Sequence, residues 1–374
     1  MIKLTKISLV GYKSIRECRN LELGNLNVLI GANGVGKSNF LSFFKLLNFV
    51  MTGAFQEFVG RGGGARSIIH FGPKVTPQLS VKLEMSADNG TNVYDALFSY
   101  ALPDTLLFAG ETISFLPTQP DKKQTPWVLG GGHRETALRD PENMQNSKAK
   151  IFRAALTRFR FYQFHDTSDE SRLRGRSHID DDARYLLSNG GNTAAILRAI
   201  RDNDPARYQR IVKTIQIVAP FFGDFILEPD VPGGKYVMLR WRAEGRSEYE
   251  FGPHQLSDGT LRFIALTTLL LQPKSWLPAL IVLDEPELGL HPAALDLLAG
   301  LLAEVSSDTQ IIVSTQSSAF LDSFTPEDVI VVERKDDASE LKRLKSSDLQ
   351  EWLSEYSLGD LVRKNVIESG PQYA

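Results

Sequence analysis

The sequence predicts an α/β protein with a P-loop core and an antiparallel β subdomain. Three observations carry this expectation. The apolar run Leu26-Asn27-Val28-Leu29-Ile30 leads into Gly31-Ala32-Asn33-Gly34-Val35-Gly36-Lys37-Ser38, and residues 40–47 continue with apolar side chains at helical spacing. Residues 80–85 and 93–100 alternate apolar and polar about Asp88-Asn89-Gly90, the pattern of a hairpin. Four apolar residues, 280–283, run into Asp284-Glu285, as a buried strand does when it delivers carboxylates to a sheet edge.

The first of these is a strand, a G-x-x-x-x-G-K-[ST] loop and a helix, which together bind nucleotide phosphates. Gly31, Gly34 and Gly36 let the backbone curl so that its N–H groups point inward at oxygen atoms. Lys37 would reach the β- and γ-phosphates, Ser38 would ligate Mg²⁺, and the helix N-terminus adds a favourable dipole. Asn33 and Asn39 complete the candidate binding set. Asp284 would join Ser38 in holding the Mg²⁺ shell, and Glu285 would orient and deprotonate an attacking water. The expected ligands are a nucleoside triphosphate and Mg²⁺.

Composition bounds the alternatives. With 374 residues, 42% hydrophobic and 23% charged, the chain suits a large soluble core or several lobes. A net charge of −3 excludes a strongly basic nucleic-acid coat but not a local basic patch. Cys18, the only cysteine, offers no intrachain disulfide, and no long apolar stretch resembles a signal peptide or a membrane span. A cytoplasmic location without membrane attachment is expected.

Along the chain, residues 2–10 and 26–30 read as strands flanking a turn at Gly11-Tyr12-Lys13-Ser14. A helix at about 38–50 precedes a glycine-rich loop at 60–64. Residues 106–115 read as a strand pair about Gly110, and 117–148 as a long polar loop. Residues from about 149 to 222 read as helical, broken at Asn203-Asp204-Pro205, with strands resuming at 236–241. Neither sustained heptads nor an internal repeat is evident. The expected domains are an N-terminal lobe at 1–145, a helical insertion at 146–235 and a C-terminal lobe at 236–374.

Between the loop and the acidic strand lies Leu256-Ser257-Asp258-Gly259-Thr260, ahead of an apolar helix at 261–271. It resembles the signature motif of ABC-type ATPases. Residues 286–292 (PELGLHP) resemble their D-loop, and Ser314-Thr315-Gln316-Ser317 stands where that family has its switch histidine. In order and spacing the chain resembles the soluble SMC/RecF/OLD-like branch from residue 1 to about 335. The phrases HFG at 70–72, SDGTLR at 257–262 and YSLGDL at 356–361 resemble stand-alone bacterial ATPases of the AAA15/AAA21-like kind, often encoded beside a nuclease in phage-defence or repair loci.

The resemblance implies a two-lobed ABC ATPase head that hydrolyses ATP to ADP and phosphate. It also implies a homodimer with ATP clamped between two chains, in which Ser257 and Gly259 present a hydroxyl and N–H groups to the γ-phosphate of the opposite subunit. Hydrolysis would loosen that dimer and signal to an effector such as a nuclease in phage defence. One rival is a RecF-like DNA-repair ATPase; another is an ATP-gated scaffold with negligible turnover. Gln316 departs from the family: an amide can hydrogen-bond a phosphate or position water, but lacks the charge of an imidazolium. Slow turnover follows if Gln316 is catalytic; the other reading is a polar strand end.

Weaker signals remain. Arg153, Arg158, Arg160, Arg172, Arg174 and Arg176 interleave with Phe159, Phe161, Tyr162, Phe164 and His165, a composition suited to nucleic acid. Pairing of these arginines with nearby acids such as Asp180, Asp181 and Asp182 is the other reading. Lys13 and Arg66 lie on loops from which they would reach nucleotide phosphates. The short amphipathic helix at 349–356 would dock on its own core or on a partner.

Overall fold

In the computed structural model, residues 3–118, 125–140, 143–229, 231 and 233–367 are described. The chain divides into two compact units: Met1–Arg160 with Ala279–Val282 and Gln310–Ala374, and Phe161–Pro278 with Leu283–Thr309.

The first unit opens with a hairpin of β1 (Leu4–Tyr12) and β2 (Ile15–Glu22), closed by Lys13-Ser14. Strand β2 was not anticipated, because its acids and arginines mask the alternation; it buries only Ile15, Cys18 and Leu21. Ile2 of the strand expected over 2–10 lies outside the described residues. Strands β4 (Gln78–Ala87), β5 (Gly90–Ala101), β6 (Thr105–Pro117) and β7 (Trp127–Gly130) complete an antiparallel sheet in the order β2-β1-β4-β5-β6-β7. The β4–β5 hairpin turns where the Asp88-Asn89-Gly90 signal placed it.

Two local expectations are corrected here. Residues 106–115 are not a strand pair: β6 runs through Gly110 and bulges there, with Leu97 and Phe98 paired to Gly110 and Phe108 and Ala109 left over. The segment read as a loop over 117–148 contains β7 and the start of helix α3 (Ser147–Leu156); residues 119–124 and 141–142 of it lie outside the described residues.

A second sheet has the order β17-β16-β3-β15-β14-β8, made from β3 (Leu26–Ile30), β8 (Phe159–Tyr162), β14 (Leu280–Asp284), β15 (Gln310–Thr315), β16 (Val329–Lys335) and β17 (Ala338–Arg343). Strands β3 and β15 are buried at every position and pair in parallel, which explains their unbroken apolar character. Strand β8 interrupts the stretch expected to be helical; its Phe-Arg-Phe-Tyr sequence favours a pleated strand. Helix α1 (Lys37–Thr52) buries Phe40, Phe43, Phe44 and Leu47 and stops at Gly53, whose left-handed backbone returns an N–H to the last turn. Helix α2 (Phe55–Arg61) leads into the glycine-rich loop, and α8 (Ser318–Leu321) follows β15. The C-terminal helix expected over 349–356 is α9, which starts and ends three residues earlier (Ser346–Leu353), and a further helix α10 (Leu358–Arg363) follows it, started by a Ser357–Asp360 capping box.

The second unit is built around α6 (Asp258–Leu271), which is buried from Leu261 onward except at Arg262, as a central helix should be. Helices α5 (Pro205–Val218) and α7 (Pro292–Val305) pack against it, and α4 (Thr193–Asn203) packs against α5. Pro205 at the first turn and Asp204 as cap start α5 where the sequence suggested a break. A small sheet of β10 (Phe222–Ile226), β12 (Arg240–Ala243) and β13 (Arg246–Phe251) adjoins these helices in the chain, and β9 (Ser177–His178) pairs with β11 (Tyr236–Val237). Among the described residues, no helix is long and apolar enough to cross a membrane.

Glu111 is fully buried in the first unit. Its carboxylate accepts from Tyr94 Oη at 2.7 Å, Ala137 N at 2.8 Å, His133 Nε2 at 3.0 Å and Thr136 Oγ1. Glu111→Ala would leave buried donors unmatched at about 1–3 kcal/mol each. A destabilisation on the order of 3 kcal/mol is expected in chemical denaturation, against a near-neutral effect for exposed Glu17→Ala.

Candidate nucleotide site

The glycine loop of the first unit leaves β3 at the edge of the second sheet. Gly34 has φ +81° and Gly36 has φ +113°, values that side chains rarely tolerate. A Cβ on Gly36 would strike the hydroxyls of Ser14 and Ser339, and one on Gly31 would strike the Val332 carbonyl. Lys37 is buried, and its ammonium donates to the carbonyls of Gly31 and Ala32, closing the loop on itself. Asn33 and Ser38 are exposed, and Asn39 Nδ2 donates to Ser14 Oγ at 2.7 Å. Ser339 Oγ donates to Val35 O at 2.6 Å, so the β1–β2 turn and β17 brace the loop from two sides. Thr315 is paired with Ile30, so Gln316 leaves β15 at the same sheet edge where Gly31 leaves β3.

The second unit carries the other candidates. Asp284 ends β14, and Glu285 follows at φ +43°, a left-handed conformation uncommon for a residue with a side chain. Ser257 caps α6, its Oγ accepting from Thr260 N at 3.2 Å. Gly259 lies directly beneath the backbone of Gly289, with no room for a Cβ.

Three residues tie this unit's motifs together: Arg262, for which the sequence suggested no role, and His165 and Arg174, which it grouped with the arginine-rich segment. Arg262 donates to Phe164 O at 3.1 Å, to His165 O at 2.8 Å and to Leu288 O at 2.7 Å. His165 Nε2 donates to Asp284 O at 2.8 Å. Arg174, only 7% exposed, donates to Thr167 O at 2.9 Å, to Pro253 O, and to Asp258 Oδ1 at 2.9 Å. The start of α6 is therefore held through the Asp258 carboxylate, and the 286–291 turn and the strand end through the backbone carbonyls of Leu288 and Asp284. A lone arginine inside an otherwise apolar helix was the available signal for Arg262.

The arginine-rich segment is corrected accordingly. Arg174 is an internal strut whose acid is Asp258, not Asp180 to Asp182; Asp182 accepts from His178 N at 2.7 Å instead. The six arginines also divide between the units, Arg153, Arg158 and Arg160 in the first and Arg172, Arg174 and Arg176 in the second. Lys13 donates to Ser42 Oγ at 2.9 Å, and burial lowers its pKa, with a further contribution from Lys45. Arg66 lies 3.9 Å from Asp104.

The donor set fits a triphosphate with Mg²⁺: a glycine loop with no room for a Cβ at Gly31 or Gly36, a lysine folded into it, and an exposed hydroxyl at the first helical turn. Fold and loop together define a protein with the fold of an SMC head and an AAA-type glycine loop. The family described as "AAA domain, putative AbiEii toxin, Type IV TA system" matches residues 26–322, and the chain belongs to it. Among solved structures, the chain is similar to an SmcHead bound to the C-winged helix domain of ScpA, with TM-score 0.60 and 16% identity over 93% of this chain and 99% of that one. It is also similar to the Smc head domain with an extended coiled coil bound to the C-terminal domain of ScpA, from Pyrococcus furiosus, with TM-score 0.56 and 16% identity over 95% and 99%. At that identity the likeness establishes the fold. No curated protein matches the sequence.

Arg262→Ala removes donors to three carbonyls and is expected to destabilise the second unit by about 2–3 kcal/mol. Limited proteolysis within 286–291 should accelerate; unchanged cleavage there would show that Arg262 does not hold this turn.

Proposed function

We propose that the chain is a Mg²⁺-dependent ATPase whose ATP-bound form is a homodimer controlling an associated effector. The observation that carries the ATPase reading is the closed glycine loop with Lys37 folded into it at the end of a buried strand. Asn33, Gly34, Gly36, Lys37, Ser38 and Asn39 bind the phosphates, and Ser38 and Asp284 hold Mg²⁺. When bound, the ion offsets the charge that builds on the phosphate oxygens. Glu285 accepts the proton of the attacking water. Gln316 hydrogen-bonds without supplying charge, so turnover is slow. Glu285→Gln is expected to reduce phosphate release about 10²–10⁴-fold while retaining ATP binding, and Lys37→Ala to weaken binding itself. Wild-type release by the Glu285 variant would remove that residue from the catalytic role.

In the dimer, Ser257 and Gly259 complete the site of a second copy, so that the γ-phosphate joins the two chains. Ser257→Arg should leave ATP binding by the single chain intact but abolish association. Light scattering of the Glu285→Gln protein with and without ATP tests this: the mass should double only with ATP, and only when Ser257 is unchanged. ATP-dependent association in the arginine variant would exclude the shared site.

The effector is a second protein, such as a nuclease subunit in phage defence. The family's toxin–antitoxin description and the ScpA domains held by the solved heads support a head that acts through a bound partner. Purification with genomic neighbours, with and without ATP, tests this part: an ATP-dependent nuclease partner is the expected result. DNA-stimulated turnover of the chain alone would favour a repair ATPase.

A further inference from the structure

The run Ser357-Leu358-Gly359-Asp360-Leu361 takes no part in the reaction proposed above, yet the first unit gives each of its residues a specific place. Ser357 and Asp360 cap α10 reciprocally, and Leu358 and Leu361 are buried. Gly359 is helical, so its missing Cβ serves close approach and not an unusual backbone. A Cβ there would strike Ser318 O and come within 2.7 Å of Asp322 Oδ1. The Gly359 N–H donates to Asp322 Oδ1 at 2.6 Å. Arg363 donates to Ser318 Oγ at 2.9 Å and is itself held by Asp360 Oδ1 at 2.7 Å. Ser318 opens α8 and Asp322 caps its end, so α10 grips both ends of α8.

Helix α8 is four residues long, a single turn that cannot hold its place unaided. With Phe320 and Leu321 fully buried, it moves as a body or not at all. Its N-cap is Ser317, whose Oγ accepts from Phe320 N at 3.1 Å and whose N–H donates to Thr315 Oγ1 at 2.9 Å. Thr315 is fixed in β15 beside Ile30. The exposed Gln316 therefore stands between one residue set by the sheet and another set by α8. Whatever places α8 also places the backbone from which the Gln316 amide extends.

We infer that α10 is the positioning clamp for Gln316: Gly359 and Arg363 hold α8, and α8 fixes where that amide is presented at the sheet edge. The inference rests on the reading of Gln316 as a residue that hydrogen-bonds the phosphate or its water. A group in that role loses up to about a hundredfold in rate when displaced by about 1 Å.

A double-mutant cycle of Gln316 and Arg363 in the full chain tests it, read by phosphate release, Mg·ATP affinity and amide hydrogen exchange. Arg363 is half-exposed, so Arg363→Met breaks its bonds to α8 and Asp360 without opening the core. It should lower kcat about three- to tenfold with ATP affinity unchanged. Gly359→Ala, which forces α8 away, should lower kcat about ten- to a hundredfold. In the Gln316→Ala background, itself slow, Arg363→Met should cost nothing further, because no amide remains to be placed. Without nucleotide, exchange over residues 316–321 should quicken in the Arg363→Met protein. A wild-type kcat or unchanged exchange in Arg363→Met, or an equal loss in both backgrounds, overturns the clamp and leaves the role of Gln316 standing. A wild-type kcat in Gln316→Ala instead removes Gln316 from the reaction, and this inference with it. Where Gly359→Ala does not fold, the Arg363 cycle alone decides.

Discussion

Everything in the phosphate-binding half depends on the parallel pairing of β3 with β15. Because both strands are buried throughout, neither can slip or tilt without exposing apolar side chains or unpairing backbone groups. Their register places Gly31 and Gln316 at one edge. The loop leaving that edge must turn within a few residues into α1, and only glycine tolerates the backbone at positions 34 and 36. Lys37 then meets carbonyls of its own loop, which closes the loop on itself.

The second unit adds a different device, holding the turn after β14 and the start of α6 by side-chain hydrogen bonds. Arginine does this work. Its planar fork reaches several carbonyls at once, as Arg262 does at Phe164, His165 and Leu288, and as Arg174 does between Thr167, Pro253 and Asp258. The close approach of Gly259 to Gly289 adds a steric constraint to these hydrogen bonds.

The sequence by itself determined the elements whose signals are local. The glycine loop, the hairpin about Asp88-Asn89-Gly90 and the break at Asp204-Pro205 are each specified by backbone chemistry within four or five residues, and the structure has them there. The α/β class followed from buried strands that read as apolar runs. Tertiary structure decided what local chemistry leaves open. Gly110 signalled a turn, but pairing of β6 with β5 on both sides of it makes a bulge. Residues 159–162 lay in a helical context, yet they complete a sheet edge as β8. Arg174 looked like a surface cation and became a buried strut, because its partners lie 79 and 84 residues away in the chain. The division has one physical cause: short-range geometry is encoded residue by residue, whereas partners distant in sequence are chosen only when the chain packs.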